Sequence, residues 1–275
     1  MTFSGGEDFP ASLLLVGAGR MGGALLKGWL NLGLDPARVH VLDPALSAEM
    51  QAFCAARGVK LGAPPAPPEV LVLAIKPQTF EGAAPALAAL IGHETLIVSI
   101  LAGKTLVGTT AYLPGARAVV RAMPNLPAAI GAGITGVVAN AAVTSQQKAT
   151  AQALLEAGGA VVWLDDESSI DAVTAISGSG PAYVFYLAEC LTKAGVAQGL
   201  NPDVAARLAR ATIEGAGALL AATPEASPAK LRTDVTSPGG TTEAALTELM
   251  GGDALADLIG RAVAAALRRA GQLSG

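Results

Sequence analysis

Histidine and cysteine are both rare in this chain, two of each in 275 residues. Cys54 and Cys190 stand far apart in apolar surroundings, with neither a CxxC pair nor a metal-ligand spacing. That pattern speaks against a disulfide framework and a zinc site, and reads as two buried free thiols. His40 falls in a strand pattern and His93 beside Glu94 in a turn, so no histidine belongs to a motif. Charged residues are only 15% of the chain, the net charge is −4 and the basic residues are scattered. There is therefore no electrostatic footprint for nucleic acid or for an anionic membrane surface. No apolar run approaches the roughly 18 residues needed to cross a bilayer. Met1–Pro10 carries acids rather than a basic leader. The expectation is small-molecule chemistry in the cytoplasm, without nucleic acid, membrane or metal.

What is abundant is apolar and small: 52% of residues are hydrophobic and 33 are glycine. A chain of this length and composition can bury a large core, and its length suggests two domains. The most informative stretch is Leu13–Leu26, LLLVGAGRMGGALL, an apolar run that breaks into glycines and resumes with helical spacing. Gly17, Gly19 and Gly22 have the spacing of a dinucleotide-binding turn. In such a turn the first glycine makes the bend, the second lets a pyrophosphate approach, and the third lets helix pack on strand. The N–H groups and dipole of the following helix then face the phosphates. Asp43 ends the second strand, Val39–Leu42, about 20 residues on, where an acid can accept hydrogen bonds from a ribose 2′-hydroxyl and repel a 2′-phosphate. It reads equally as a turn initiator before Pro44.

Further strands are expected at Val59–Leu61, Val70–Ile75, Leu96–Ile100, Val119–Met123, Gly133–Val138 and Val161–Leu164, alternating with helices in the manner of a doubly wound α/β sheet. Ligands of such sheets sit beyond the carboxyl ends of the strands, which places Ala74, Lys76, Pro77, Ala102 and Gly103 along a cofactor crevice. Beyond Leu164 strand signals stop and the chain reads as helix after helix. The domains are accordingly expected at 1–164, with residues 1–10 a loose tail, and 165–275. Asn201 caps a helix with Pro202 at its first position. These helices lack a polar face, which implies that a second copy of the chain covers them. In Asp234–Leu246, DVTSPGGTTEAAL, a Pro-Gly-Gly turn opens a helix and presents Ser237, Thr241 and Thr242 with free N–H groups, a cradle for a carboxylate or an ordinary Thr-rich cap.

The segments VGAGRMGGAL, VLAIKPQ, SILAGKT, RAMPNLP, DAVTAISGSGPAYVF and VTSPGGTTEAAL stand in the order and spacing of the pyrroline-5-carboxylate reductases. The chain resembles that family over nearly its whole length. The resemblance implies an N-terminal Rossmann-type sheet domain, then an all-α dimerisation and substrate-binding domain, in homodimers that often build decamers. It implies the last step of proline biosynthesis, hydride transfer from NADPH or NADH to the C=N carbon of 1-pyrroline-5-carboxylate, giving L-proline. Carried over by motif, Gly17, Ala18, Gly19, Arg20, Met21, Gly22, Asp43, Ala74, Lys76, Pro77, Ala102, Gly103 and Asp234 would hold or border the cofactor. Ser237, Gly240, Thr241 and Thr242 would hold the substrate carboxylate, with the Thr242 hydroxyl near the ring nitrogen as the catalytic group. Glu225 matches an acid that reaches the substrate through water.

Three departures stand out. Asp43 replaces the small hydroxyl or amide residue that helps NADPH-using members, Leu126 replaces the Thr of MPNTP, and Pro64–Pro68 replaces a loop with a polar cofactor contact. Two other readings stay open: another imine or hydroxyacid reductase on the same scaffold, or a non-catalytic dinucleotide sensor. The YxxxK pair of one dehydrogenase class is absent, since Tyr183 precedes Leu187 by four residues and Tyr186 precedes Cys190. The GxGxxxK lysine of another is also absent, its place after Gly180 being taken by Val184.

Overall fold

A computed structural model describes residues 9–274. Positions 1–8 of the expected tail lie outside the described residues; Phe9 and Pro10, its last two, are buried. Among the described residues eight strands make one sheet: β1 (Leu13–Val16), β2 (Val39–Leu42), β3 (Lys60–Leu61), β4 (Val70–Leu73), β5 (Leu96–Ser99), β6 (Ala118–Pro124), β7 (Gly133–Ala139) and β8 (Gly159–Trp163). Their spatial order is β3-β2-β1-β4-β5-β6-β7-β8. The order reverses between β1 and β4, the place where open α/β sheets bind their ligands.

From β3 through β6 all neighbours are parallel, as expected of a doubly wound sheet. β7 departs by running antiparallel to β6. The cause is the connection. Residues 125–132 form only a short 3-10 turn, Leu126–Ile130, that closes at Gly131 in the left-handed region. A parallel return needs a crossover of about a dozen residues or more. β8 then returns parallel to β7 through a helix.

The first unit adds α1 (Arg20–Asn31), α2 (Ala48–Arg57), α3 (Pro77–Ala88), α4 (Leu106–Tyr112), α5 (Ser145–Glu156) and α6 (Ser169–Val173). All four residues of β1 and of β4 are buried, because helices cover both sheet faces. The two-residue period of a strand divides them. Leu13, Leu15, Val70 and Val72 join α1 and α5 in one core, whereas Leu14, Val16, Leu71 and Leu73 join α3 in the other. Trp29 of α1, 1% exposed, donates its indole N–H to the Leu154 carbonyl of α5 at 2.7 Å, so these two helices share one register on the sheet. α5 starts with a reciprocal cap. The Gln147 N–H donates to the Thr144 hydroxyl and the Thr144 N–H to the Gln147 side chain.

After α6 a π-helical turn, Thr174–Gly178, interrupts the chain, and helix resumes at Gly180 within the SGSGPAY segment. The chain divides into two compact units, one running through Gly178 and including the stretch from Leu267, the other Ser179–Ala266. The second unit holds α7 (Gly180–Ala197), α8 (Pro202–Ala222), α9 (Pro228–Asp234), α10 (Thr241–Met250) and most of α11 (Ala254–Ser274). The Asn201 side chain caps α8 and Pro202 is its first residue. α7 buries none of its residues within the chain, and Phe185, Tyr186, Leu208, Leu219 and Met250 are all exposed. Apolar side chains in that number on one unit mark a surface that another molecule covers. Among the described residues no helix is long and apolar enough to cross a membrane.

Candidate functional site

The glycine turn between β1 and α1 has three glycines with three different surroundings. Gly17 has φ +89, and a Cβ on it would stand 2.8 Å from the Ala74 carbonyl oxygen, so only glycine makes this bend against β4. Gly22 lies inside α1, where a Cβ would come within 2.1 Å of the Gly17 carbonyl oxygen; the helix rests directly on the turn. Gly19 is the opposite case, with nothing within 4 Å of its Cβ position. It is the N-cap of α1, no side chain caps it, and the first turn of α1 holds no acid. An open backbone at the positive end of a helix suits an anion, and the empty space above Gly19 suits a pyrophosphate.

Around this turn lies a cleft of about 580 Å³ that brings together Gly17, Gly19, Asp43, Ala74 and Lys76. Five expected cofactor residues that are distant in sequence thus share one cavity. Pro77 is the first residue of α3 with Lys76 as its N-cap, and the Ala74 N–H donates to the Val16 carbonyl. Ala18, Gly19, Arg20 and Asp43 also border a second cleft of about 460 Å³ on the α2 side of the turn. Met21 follows in the first turn of α1 and is half-buried. Asp43 is half-buried between the two clefts, and both of its oxygens are engaged. Oδ2 accepts the Ala18 N–H and Oδ1 the Ala45 N–H, each at 2.9 Å. The spacing of Asp43 from the glycines is visible in the sequence, but its grip on Ala18 is not.

Ala102 and Gly103 follow β5. Gly103 has φ +73, and a Cβ there would stand 2.5 Å from the Leu273 carbonyl oxygen. Leu126 opens the 3-10 turn after β6 and is exposed. His40 and His93 stay outside these groups. The His40 Nδ1 is buried in β2 with no partner among the described residues, and His93 is an exposed neighbour of Glu94 and Arg117. Cys54, on the inner side of α2, is fully buried, and burial pushes its thiol above the ordinary range; Cys190, expected to be buried as well, is exposed in α7, whose residues find no core within the chain. Among the described residues no cluster of three or more His, Cys, Asp or Glu could hold a metal.

In the second unit the Ser237–Thr242 turn is built as a helix N-terminus left open. Gly240 is the N-cap of α10 and no side chain caps it; its N–H donates to the Ser237 carbonyl, and a Cβ on it would lie 2.9 Å from that oxygen. Gly239 has φ +72. Its N–H donates to Glu243 Oε2 at 2.7 Å, so Glu243 fixes the turn from inside the helix. Sequence reasoning missed Glu243, although an acid three residues past an N-cap is a known capping signal. Ser237 and Thr241 are exposed and Thr242 is half-buried. Asp234 ends α9 and is paired with Lys230 one turn earlier. Glu225 is exposed in the segment between α8 and α9.

The comparisons with known proteins agree with this layout. Residues 167–273 match the family described as pyrroline-5-carboxylate reductase dimerisation, and residues 12–103 match the family described as NADP oxidoreductase, coenzyme F420-dependent. A pyrroline-5-carboxylate reductase of Pseudomonas aeruginosa is 42% identical over 265 residues, 95% of this chain and 96% of the relative. One from Synechocystis is 44% identical over 209 residues, 74% of this chain and 75% of the relative. The structure of a pyrroline-5-carboxylate reductase from Coxiella burnetii superposes with a TM-score of 0.89 at 35% identity, covering 97% of this chain and 99% of that one. With relatives this similar from end to end, and both glycine turns built, the chain belongs to the pyrroline-5-carboxylate reductase family.

Proposed function

We propose that this protein is an NAD(P)H-dependent oxidoreductase that reduces 1-pyrroline-5-carboxylate to L-proline, the last step of proline biosynthesis, and works as a homo-oligomer. The observation that carries this reading is the presence, in one family member, of two uncapped helix N-termini, at Gly19 and at Gly240. One suits the diphosphate of a dinucleotide and the other the carboxylate of a small substrate. The apolar surface of α7 and α8 supports assembly with further copies, as a dimer or a larger ring of dimers. The reductant is an intracellular coenzyme, so the enzyme is placed in the cytoplasm.

In this reading Gly17, Ala18, Gly19, Arg20, Met21 and Gly22 hold the diphosphate at the start of α1. Ala74, Lys76 and Pro77 line its path, Asp43 meets the adenosine ribose, and Ala102 and Gly103 border the nicotinamide half, with Asp234 at the edge. A bound reduced nicotinamide supplies the hydride. Ser237, Gly240 and Thr241 hold the substrate carboxylate, and Glu225 reaches the substrate through water. The hydride and its two electrons go to the imine carbon, the π bond of C=N becomes the nitrogen lone pair, and the amine takes its proton from water. A protonated imine is already electrophilic, so the main demand on the protein is orientation. Thr242 is the one catalytic group, its hydroxyl meeting the ring nitrogen.

The test is steady-state reduction of 1-pyrroline-5-carboxylate with NADH and NADPH in parallel, following the nicotinamide absorbance and identifying the product as proline. Turnover with either coenzyme is expected. Binding of coenzyme without turnover would replace this reading with that of a dinucleotide sensor or of a reductase for a different imine.

A further inference from the structure

The turn that follows β5 is held in place by ionised side chains that none of the expected site residues supplies. Arg121 lies in β6 beside Ser99, the last residue of β5, and is only 5% exposed. Its Nη1 donates to Glu167 Oε1 at 2.7 Å, and the same carboxylate oxygen accepts the Leu106 N–H at 2.8 Å. Leu106 is the first residue of α4, so Glu167 fastens the exit of the turn to a buried arginine. On the other flank the Lys104 ammonium reaches Glu81 of α3 at 3.2 Å and lies over the ring of Tyr112. Just before these anchors Gly103 stands close to the Leu273 carbonyl, with no room for a Cβ.

A helix start alone does not need this arrangement. Thr105 already caps α4, its hydroxyl accepting the Gly108 N–H at 2.9 Å. Removing a guanidinium from water is unfavourable unless it is paired and hydrogen-bonded, so an arginine buried midway along β6, level with the last residue of β5, calls for a reason beyond capping. The sheet order supplies one. A dinucleotide with its ribose at Asp43, beside β2, crosses the carboxyl ends of β1 and β4 and brings its other half to the ends of β5 and β6. Ala102–Leu106 stand there, and Arg121, three residues before the end of β6, is joined to them through Glu167.

We propose that Arg121 and Glu167 are positioning residues for the nicotinamide half of the coenzyme, acting through the turn Leu101–Leu106 whose exit they hold. The proposal rests on the coenzyme reading above and adds two residues to it.

The experiment compares binding of NADH, NADPH and ADP-ribose, which lacks the nicotinamide, to the full-length wild type and to the Glu167→Ala, Glu167→Gln and Arg121→Lys variants, with thermal melting of each. Glu167→Ala is expected to weaken both dinucleotides by about tenfold and ADP-ribose by less than about twofold. Glu167→Gln, which keeps an oxygen for Leu106 and Arg121, restores most of that loss. Equal weakening of all three ligands, or of none, overturns the proposal, since a merely structural pair would not single out the nicotinamide half. Should Glu167→Ala fail to fold, Arg121→Lys decides, with the same separation expected at about threefold and its absence counting against the pair. Binding needs no turnover, so loss of the pyrroline-carboxylate reading would show separately, as a wild type that binds coenzyme and reduces no substrate.

Discussion

One oxygen of the Asp43 carboxylate accepts the Ala18 N–H at 2.9 Å, so the residue that ends β2 holds the glycine turn that ends β1. Each carboxylate oxygen carries a second lone pair, which makes gripping the turn compatible with accepting a ribose hydroxyl. Asp43→Asn keeps an oxygen for Ala18, gives up the acceptor of the Ala45 N–H and removes the charge that repels a 2′-phosphate. We predict that the ratio of kcat/KM for NADPH to that for NADH rises about tenfold, with a modest fall in Tm from the one lost hydrogen bond. A ratio equal to wild type would leave Asp43 with the turn alone.

Gly19 and Gly22 separate binding from stability. Alanine at position 22 drives a methyl into the Gly17 carbonyl, and overpacking of this kind costs about 1–3 kcal/mol. Alanine at position 19 meets no protein atom. The expected pattern is a lowered Tm for Gly22→Ala, and for Gly19→Ala an unchanged Tm with coenzyme affinity reduced about tenfold. Thermal melts and coenzyme titrations of the two variants check it, and the reverse pattern would contradict the assigned roles.

Thr242→Ala is predicted to lower kcat about tenfold, the scale of one hydrogen bond made to the reacting nitrogen, while leaving coenzyme affinity as it is. Thr242→Ser keeps the hydroxyl and should recover most of the rate. Full turnover by the alanine variant would remove Thr242 from the chemistry.

The hydrogen bond with Tyr112, and then the Lys104 ammonium, hold the Glu81 carboxyl below the usual carboxylate range. A depressed carboxylate contributes stability that is fully present above its unfolded value of about 4.3 and is lost as pH falls through the lowered folded value. The site is exposed, so the contribution is small. Glu81→Gln should therefore lower Tm slightly at pH 7, and the difference should shrink as the pH falls through the acid range. A Tm difference that persists in full at low pH would place its origin in packing rather than charge.

Since α7 buries nothing inside its own chain, association with other copies is expected to supply much of the stability of the second unit. Mass action then makes Tm depend on protein concentration. Melting over a hundredfold dilution series, together with mass by light scattering, should give a falling Tm and a species larger than one chain. A concentration-independent Tm for a monomer would refute this.

The parts legible in the sequence are those with a local signature. β1 and β2 occupy the residues expected of them because glycine or proline bounds each apolar run, and α8 starts at Pro202 because Asn201 caps it. The direction of β7 depends on how a short connection folds and leaves no mark in the apolar pattern. The pairs Asp43–Ala18 and Arg121–Glu167 join residues 25 and 46 positions apart, and no local periodicity records such a separation. Gly19 and Gly22 look alike as letters. Only the surroundings distinguish a glycine that must leave room for a ligand from one that must leave room for the chain.

The contact of Gly22 on Gly17 also bears on timing. The shape of the diphosphate cradle is set by backbone resting on backbone, with Asp43 as a brace, and none of these contacts requires a ligand. A cradle formed in advance spends little of its binding energy on ordering itself. Each catalytic cycle must release an oxidised coenzyme and admit a reduced one, and at this turn that exchange can proceed without the loop opening and reclosing. The pace of coenzyme exchange is then governed by whichever segments do rearrange, and slow steps in turnover should map away from Gly17–Gly22.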